Sequence, residues 1–551
     1  MPDSDVLVVG AGPVGLVLAI DLARRGVRVQ LIERNATCRQ LPKMERCNAR
    51  TMEMFRRMGL AERVRDASLF RDIPMDIFIV TSLIDPPILH LPYPSVVACQ
   101  AETRACNDGT LPLEPYQLIS QYTLEPLLKA VAESMPNISV RFACELVAFS
   151  QNADGVEAIV QPVGSGRETM RARYMVGCDG GSSTVRKQLG IKLEGQGRLR
   201  QIHQTFLRSD ELFKKIPIGT GRHYYFPTGT LVVQDDLRHF MVNRAKPNDA
   251  ADPVRSIREF LGLDVDLEVL HQGSWNQHLL VAESYGDRRV FLAGDSVHLV
   301  IPNGGLGMNT GVGDAIDLAW KLAATIQGWG GEAMLPAYES ERRPIGLRNR
   351  LASGRAAQGV RSWMAACTAD IALDTPAGRA ERAKVRELAN VGQRISHEMV
   401  GTELGYRYDA SPLICGEAGE RPEDLALEYR PTTWPGARLP HMWLADGTAL
   451  HDRLGDGFTL LRIGAGTCVD TGALERAMRA AGAPFIVVDV DEPGLRRVYE
   501  RDLLLLRPDL HVVWRGDEAP ADPDRIASVV TGRTVTHHSR EETNNVETAD
   551  A

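Results

Sequence analysis

The chain has 551 residues, which is too many for one hydrophobic core and fits about two to four domains. Its composition, 44% hydrophobic and 24% charged, is that of a globular protein. The formal net charge of −8 argues against nonspecific binding of nucleic acid through a basic surface.

Nine cysteines are scattered along the chain and include no C-x-x-C pair, which argues against a zinc site or a redox dithiol. An odd number of cysteines in a large chain suits a reducing cytoplasm. The apolar run over residues 6–20 lacks a preceding basic segment and is too short for a bilayer, which needs about 20 residues. We therefore expect a soluble cytoplasmic protein with no membrane span and no metal site.

Residues 5–34 have the pattern of a strand, a glycine turn, a helix and a second strand that ends in an acidic residue. Gly10 allows the tight turn, Gly12 lets the backbone approach a pyrophosphate, and Gly15 lets the helix pack close to the strand. Glu33 follows the second strand, where a carboxylate accepts hydrogen bonds from ribose hydroxyls. The pattern predicts a nucleotide site. A glycine turn without a ligand is the alternative, and Glu33 disfavours it.

The next segments are a loop and a predicted helix that starts at Arg46. Lys43, Arg46 and Arg50 bring positive charge that either contacts phosphate or is ordinary surface charge. Residues 72–98 alternate between apolar and polar positions, which predicts strands of an inserted sheet. Residues 118–135 form an amphipathic helix, in which Gln121 points either to solvent or to a ligand.

Two later strands also end in glycine and an acidic residue. One strand runs to Cys178 and breaks at Asp179 and Gly180. A second strand, residues 290–293, precedes Asp295 and a glycine-rich loop, after which we expect a helix to open at Asn309. Five glycines in residues 304–313 are costly in conformational entropy, which is plausible where the backbone must touch a flat ligand. A flexible surface loop is the alternative.

Residues 192–280 lack regular alternation of strand and helix, and short runs predict an antiparallel sheet that forms a wall facing the substrate. Tyr224 and Tyr225 lie on this sheet as substrate candidates. Strand alternation turns only one of them inward, and we expect Tyr225, with packing inside the sheet as the alternative.

The C-terminal part begins with helices over residues 333–397 and a proline-punctuated linker over residues 431–440. Strands at residues 457–463, 484–490 and 511–514 alternate with helices and predict a small separate α/β domain. The polar residues 535–551 are predicted to be disordered.

Together, GAGPVG with Glu33, the segment CDGGSSTVR and the segment AGDSVHLVIPNGGLGMNTGVGDAIDLAWKL resemble the class A flavoprotein monooxygenases. These are the phenol-type aromatic hydroxylases related to para-hydroxybenzoate hydroxylase. The resemblance covers about residues 1–350, and the later part resembles longer members that add a thioredoxin-like domain.

The resemblance implies a Rossmann-like, glutathione reductase-type FAD domain formed by residues 1–71, 110–190 and 281–360. A mixed or antiparallel substrate sheet would come from residues 72–109 and 191–280. Residues 361–430 would be a helical segment and linker, and residues 431–534 the thioredoxin-like domain. That domain lacks C-x-x-C, which favours a structural or oligomeric role, such as a homodimer contact.

The resemblance also implies the residues that hold FAD. They are Gly10, Gly12, Pro13, Val14, Gly15, Glu33, Arg34, Lys43, Gln121, Asp179, Gly180, Asp295, Pro302, Gly305, Gly307, Met308 and Asn309. Family members often have arginine where Lys43 stands, and a lysine does not make the bidentate phosphate contact of an arginine.

The implied reaction consumes NADPH or NADH and O₂. Reduced FAD forms a C4a-hydroperoxide that transfers one oxygen atom to a phenolic or polycyclic aromatic substrate. His298 and Tyr225 are candidates for assisting loss of the substrate proton, with packing or hydrogen bonding as the alternative. The same scaffold would also permit Baeyer–Villiger oxygenation of a cyclic ketone. An alternative without enzyme activity is a flavin-bound redox sensor that recruits partners.

Overall fold

The computed structural model of the protein describes residues 2–68 and 71–534. The tail that the sequence predicts to be disordered, residues 535–551, lies outside the described residues.

The strands, in chain order, are β1 (Ser4–Val9), β2 (Val29–Ile32), β3 (Arg46–Cys47), β4 (Ile77–Ile79), β5 (Leu89–Leu91), β6 (Gln117–Leu118), β7 (Ile138–Arg141), β8 (Cys144–Gln151), β9 (Val156–Pro162), β10 (Glu168–Gly177), β11 (Leu193–Gln196), β12 (Gln201–Arg208), β13 (His223–Phe226), β14 (Gly229–Val233), β15 (His239–Arg244), β16 (Glu268–Asn276), β17 (Leu279–Ala282), β18 (Gly286–Asp287), β19 (Val290–Leu292), β20 (His298–Leu299), β21 (Phe458–Ile463), β22 (Phe485–Val490), β23 (Leu503–Leu506) and β24 (Val512–Gly516).

The helices are α1 (Pro13–Arg24), α2 (Ala49–Arg57), α3 (Ala61–Ala67), α4 (Val96–Ala105), α5 (Gln121–Ser134), α6 (Thr184–Gln188), α7 (Leu212–Lys215), α8 (Pro253–Leu261), α9 (Leu306–Gln327), α10 (Pro336–Ala365), α11 (Pro376–Gly392), α12 (Val400–Leu404), α13 (Gly472–Ala480), α14 (Pro493–Tyr499) and α15 (Pro523–Val530).

The first sheet has the order β18-β19-β10-β1-β2-β7, and β8 and β9 extend it next to β10. β1 pairs in parallel with β2 and β10, and β19 pairs in parallel with β10. The carboxyl ends of these strands therefore share one edge of the sheet, which is the edge where α/β folds bind nucleotides. Gly10, Glu33, Asp179 and Asp295 all follow strands at that edge.

The second sheet, with the order β16-β12-β15-β14-β13-β4-β5, draws on residues 77–91 and 201–276. Only β13 and β4 pair in parallel, so this sheet is mixed, as the sequence predicts. One of its faces packs on an apolar cluster that includes Tyr224, Phe226 and Leu261 from α8. The opposite face is free to line a cleft. The domain boundaries given above remain predictions.

Helix α9 begins at Leu306, so the expectation that a helix opens at Asn309 is wrong. Gly307, Gly311 and Gly313 lie inside this helix instead of in a loop. A Cβ at position 311 would lie 2.6 Å from Val14 Cγ2 and 2.9 Å from Gly294 Cα. Gly311 therefore allows the helix to pack closely against α1 and the turn that carries Asp295, which is a different use of glycine from flexibility.

The C-terminal unit, residues 431–534, holds a sheet of order β22-β21-β23-β24. β21 pairs in parallel with β22, and the remaining pairs are antiparallel. Strand β23 is four consecutive leucines, all buried, whose lack of alternation hid it from the sequence analysis. The stretch predicted as a linker is packed, because Thr433, Arg438 and Leu439 are all buried.

Two kinds of feature are absent from the described part of the chain. None of its helices is long and apolar enough to cross a membrane. In residues 2–68 and 71–534, no group of three or more histidine, cysteine, aspartate or glutamate side chains is placed to hold a metal ion.

A buried ion pair connects the C-terminal unit to helix α2. Arg438 donates from Nε to Glu53 Oε2 of α2 at 2.6 Å, and its Nη1 donates to Tyr429 Oη at 3.0 Å. Burial raises the pKa of Glu53, but the charge of Arg438 and its hydrogen bond outweigh burial and lower that pKa to about 2. Glu53 is therefore ionised at neutral pH.

Replacing Arg438 by Met should lower the free energy of unfolding by about 3–5 kcal/mol, because the buried Glu53 would lose its hydrogen-bonded cation and retain the more distant Arg50, 3.5 Å away. Urea unfolding measures the change. Arg430→Met is the control: its pair with Glu428 is about 60% exposed on both sides, and exposed pairs contribute about 0–1 kcal/mol. Equal losses for both variants would contradict the assignment.

The same pair predicts a pH dependence. The folded pKa of Glu53 lies below its ordinary 4.5. Its stabilising contribution is therefore present above pH 4.5 and is lost as the pH falls towards 2. Arg438→Met should lose less stability than the unmodified protein over that interval, which urea midpoints at several pH values would show.

Candidate active site

A cleft of about 1580 Å³ separates the carboxyl edge of the first sheet from the free face of the second. Most of the predicted FAD residues line it: Gly10, Gly12, Pro13, Val14, Glu33, Arg34, Lys43, Gln121, Asp179, Gly180, Asp295, Pro302, Gly305, Gly307 and Met308. These residues come from distant parts of the chain, and the fold brings them together.

The first glycine turn has two tight positions and one open position. A Cβ on Gly10, whose φ is +104°, would lie 2.4 Å from Cys178 O, and a Cβ on Gly15 would lie 1.9 Å from Gly10 O. A Cβ on Gly12, the N-cap of α1, would meet nothing within 4 Å. The open space at a helix N-terminus fits an anionic group such as a pyrophosphate.

Glu33 is fixed at the rim of this turn by backbone donors. Its Oε2 accepts from Ala11 N at 2.9 Å, and its Oε1 accepts from Asn35 N at 2.9 Å. The carboxylate thus lines the cleft in a defined orientation beside the turn, as a ribose-binding acid requires.

Lys43 and Gln121 form a second group in the cleft. Gln121 Oε1 accepts from Lys43 N at 3.1 Å, and Gln121 Nε2 donates to Glu125 Oε1 at 2.5 Å. The Lys43 ammonium group pairs with Asp295. Burial raises the pKa of Asp295, but the charge of Lys43 and its hydrogen bond outweigh burial and hold that pKa below its ordinary value. The Lys43 ammonium group therefore stabilises the ionised form of the Asp295 carboxylate.

Asp179 has one engaged oxygen and one free oxygen. Oδ2 accepts from Thr184 N at 2.7 Å and Val185 N at 3.1 Å, which caps α6. Oδ1 is buried and has no hydrogen-bond partner among the described residues. A buried acceptor without a donor is costly, so a hydroxyl-bearing ligand in this cleft would satisfy it.

Four predicted site residues do not line the cleft. Gly15 acts through packing. Asn309 Oδ1 accepts from Asn48 N at 2.9 Å, which ties α9 to the start of α2. Tyr224 Oη donates to Gly219 O at 2.8 Å, in the loop that precedes β13. His298 is buried with Nε2 2.9 Å from Asp314 Oδ2, which agrees with the hydrogen-bonding alternative to a direct proton role.

Arg46 and Arg50 also have structural partners. Arg46 lines the cleft but pairs with Glu403 of α12. Arg50 is buried and donates to Asp509 O at 2.7 Å. The idea that these side chains bind phosphate gains no support from their positions.

On the opposite wall, Tyr225 lines the cleft, as strand alternation predicts. His223 precedes it by two positions on β13 and shares its face. His223 Nε2 lies 2.6 Å from Glu45 Oε1, and Nδ1 has no hydrogen-bond partner among the described residues. Burial raises the pKa of Glu45, but the charge and hydrogen bond of His223 outweigh it and lower that pKa to about 2.

His397 completes this group. Its ring centroid lies 5.6 Å from that of His223 and 6.2 Å from that of Tyr225. Burial, with the charges of His223 and Arg46, lowers the pKa of His397 well below its ordinary value. Burial and the charge of Glu45 raise the pKa of Tyr225 above its ordinary value, so this side chain remains a phenol.

The charged side chains on this wall of the cleft are basic in the part of the chain that the structure describes. Within the described residues 191–280 and 357–397, the cleft is lined by Arg198, Arg200, Arg244 and Arg361 and by no aspartate or glutamate. Sequence analysis missed this set and missed Glu45, His223 and His397. Extending the strand alternation from Tyr225 back to His223 was the available signal. No local pattern marks the others, because they meet only through the fold.

The first sheet carries glycine turns and acidic residues at its carboxyl edge, and this edge faces a mixed sheet across a large cleft. This arrangement is that of a nucleotide-dependent flavoprotein. Comparison with known families agrees: residues 3–350 match the family described as FAD binding domain, and residues 432–533 match the aromatic-ring hydroxylase C-terminal family. The chain belongs to this family of FAD-dependent aromatic hydroxylases, and it is an FAD-dependent monooxygenase.

Individual proteins resemble the chain over almost its whole length. The FAD-dependent monooxygenase apdD of Emericella nidulans is 33% identical and aligns with 96% of this chain and 90% of its own. The rebeccamycin biosynthetic enzyme RebC, solved with reduced flavin, is 33% identical with a TM-score of 0.87, over 96% of this chain and 99% of its own. Aklavinone-11 hydroxylase, solved with FAD and aklavinone, is 29% identical with a TM-score of 0.78, over 97% and 100%.

Replacing Asp295 by Ala should weaken FAD binding by about tenfold or more, because the cleft would lose a carboxylate that charge-assisted donors can use. Fluorescence titration of apoprotein with FAD measures the dissociation constant. Asp287→Ala, on β18 and exposed, is the matched control and should bind FAD normally. Full flavin affinity in the Asp295 variant would remove Asp295 from the site.

Proposed function

We propose that this monooxygenase uses NADPH or NADH and O₂ to hydroxylate a phenolic or polycyclic aromatic substrate. The observation that carries the proposal is one continuous cleft, in which the glycine and acidic motifs face a wall that bears Tyr225, His223 and His397. Its volume of about 1580 Å³ exceeds the roughly 300–1,000 Å³ of ordinary ligand pockets, so a cofactor and a second large ligand fit together.

Gly12, Glu33, Asp179 and Asp295 would hold FAD at the carboxyl edge. Bound FAD would take electrons from NADPH or NADH, activate O₂ and supply one oxygen atom for the ring, while the other leaves as water. The protein residues bind, orient and desolvate the reactants. Aklavinone, the ligand of the hydroxylase complex described above, is a precedent for a polycyclic substrate.

A phenol becomes a stronger nucleophile when it loses its proton. We assign the acceptor role to His223, because it lines the cleft, Glu45 fixes its Nε2, and its buried Nδ1 has no hydrogen-bond partner among the described residues. A carboxylate that orients a histidine is a recurrent arrangement of a general base. The arginines that line this wall of the cleft, and the absence of aspartate and glutamate from it among the described residues, favour a developing phenolate.

We also propose that the C-terminal unit has a thioredoxin-like fold. Its element order is β-α-β-α-β-β-α, and the first two strands are parallel while the last two are antiparallel to their neighbours. That order supports the proposal. Since the sequence lacks C-x-x-C, its role is structural and not redox.

The function is tested by measuring NADPH and NADH consumption by flavin-loaded protein with phenols, polycyclic phenols and cyclic ketones. Product and H₂O₂ are quantified together. Stimulated consumption with a hydroxylated product and little H₂O₂ is expected. Lactone or ester products would instead assign Baeyer–Villiger oxygenation. Bound FAD without stimulation by any compound would favour the redox-sensor alternative.

Replacing His223 by Gln should lower kcat by about 100-fold or more with an ordinary phenol, since general base catalysis contributes about 10²–10⁴-fold. FAD affinity should be unchanged. An acidic nitrophenol, which is already ionised, should recover most of the activity. An equal loss with both phenols would contradict the assignment.

Adjacent tyrosines provide a matched pair. Tyr225→Phe should alter turnover and leave FAD content intact, because Tyr225 lines the cleft. Tyr224→Phe should keep its kinetics and lose stability by about 1 kcal/mol, because the Tyr224 hydroxyl makes its hydrogen bonds to the loop before β13 and does not line the cleft. Steady-state kinetics and urea unfolding separate the two results. Unchanged kinetics in Tyr225→Phe would leave Tyr225 a packing residue.

A further inference from the structure

We propose that the C-terminal unit positions the Gly294–Asp295 turn of the FAD site through two groups of buried ion pairs, which helices α9 and α10 join into one chain. The chain runs from Arg507 through α9 and α10 to Asp314, and we call it the buried ion chain. It comprises Arg507, Asp317, Glu341, Arg342 and Asp314. The inference concerns binding of FAD and assigns a role to a unit that contributes no side chain to the lining of the cleft among the described residues.

One end of the buried ion chain is Arg507, which lies between β23 and β24 and is fully buried. Its Nη1 donates to Glu341 Oε1 of α10 at 2.8 Å, and its Nη2 donates to Asp317 Oδ1 of α9 at 2.9 Å. Its Nε donates to Asp509 Oδ1 in its own unit at 2.7 Å. A single guanidinium group therefore joins the C-terminal unit to two helices of the first domain.

The other end is Asp314, which is fully buried one turn before Asp317 on α9. Asp314 Oδ2 accepts from Gly294 N at 3.1 Å and lies 2.9 Å from His298 Nε2. Its Oδ1 accepts from Arg342 Nε at 2.9 Å. Asp314 thus holds the backbone of the residue directly before Asp295, the carboxylate in the cleft.

Arg342 connects the two ends. It follows Glu341 on α10, and its Nη1 donates at 3.1 Å to the hydroxyl of Tyr408. The guanidinium group of Arg507 lies 4.5 Å from the centroid of that same ring. Both arginines therefore contact Tyr408, and both hold α10 against α9.

Close packing leaves little room for α9, Arg342 of α10 and the turn at Gly294 to move independently of one another. A Cβ at Gly313 would lie 2.7 Å from Arg342 Nη2, and a Cβ at Gly311 would lie 2.9 Å from Gly294 Cα. Close-packed helices shift together, so a change in how α9 meets α10 reaches the turn. Asp317 and Glu341 also share the buried Lys321, whose Nζ lies 2.5 Å from each. Loss of Arg507 would leave two buried carboxylates with one shared cation, an imbalance that favours a shift of α10 relative to α9.

The test compares Arg507→Met with Arg515→Met. Arg515 is also buried in the C-terminal unit, but it pairs with Glu417 and Glu500 instead of with α9 or α10. Apoprotein of each variant is titrated with FAD, and visible circular dichroism of the bound flavin reports its environment. We expect at least tenfold weaker FAD binding and an altered flavin spectrum for Arg507→Met. Arg515→Met should stay within twofold of the unmodified protein.

A double-mutant cycle tests the route. If Arg507 acts through Asp314, then Arg507→Met should add little further loss of FAD affinity in an Asp314→Asn protein. Additive losses would overturn the proposed route. Arg507→Met with lower stability but unchanged FAD affinity and spectrum would overturn the proposal itself.

Arg507→Lys covers the case in which Arg507→Met does not fold. Lysine keeps the charge and loses the fork of donors, so an intermediate FAD affinity is expected, and full affinity would contradict the proposal. These measurements use neither NADPH nor an aromatic substrate. Their outcome is therefore independent of whether the protein hydroxylates a phenol.

Discussion

The site depends on the side-by-side parallel pairing of β2, β1, β10 and β19. Because their carboxyl ends meet at one edge, Gly10, Glu33, Asp179 and Asp295 lie together although they are distant in the sequence. α1 and α9 then close against this edge, and the glycines at their contact allow an approach that a Cβ would prevent. The position of each acidic group is thus a consequence of sheet order.

The second sheet supplies the side chains on the opposite wall of the cleft. Its outer face buries Tyr224 and neighbouring apolar residues, so its other face turns Tyr225 and His223 toward the cleft. Glu45 comes from the first domain and reaches His223 across the boundary. The cleft that we assign to flavin and substrate therefore lies where the two sheets face each other, and neither sheet alone would form it.

The sequence predicted the parts of the site that depend on local pattern. Glycine spacing with Glu33, and strands that end at Asp179 and Asp295, were enough to predict which residues gather at the carboxyl edge of the first sheet. Period-two alternation predicted that only one of Tyr224 and Tyr225 faces inward, and the expected one, Tyr225, lines the cleft. The hydrogen bond of His298 agrees with the alternative that the sequence left open, but its partner Asp314 lies in another element, and buried pairing between elements leaves no local signal.

The same limit explains the errors in the C-terminal half. Residues 431–440 contain prolines and polar groups typical of a linker. Arg438 in this segment is nevertheless buried, because it forms an ion pair with Glu53 on α2. Strand β23 is apolar on both faces, so it shows no period. Both features depend on contacts between units, which are the contacts that a single sequence reveals least.

The most direct test of the account is an experimental structure of the protein with FAD and a polycyclic phenol that it turns over. The account predicts the FAD pyrophosphate at Gly12 and the substrate hydroxyl within hydrogen-bonding distance of His223, beside Tyr225. A substrate bound away from the wall that carries these two residues would contradict it, as would FAD bound away from the carboxyl edge of the first sheet.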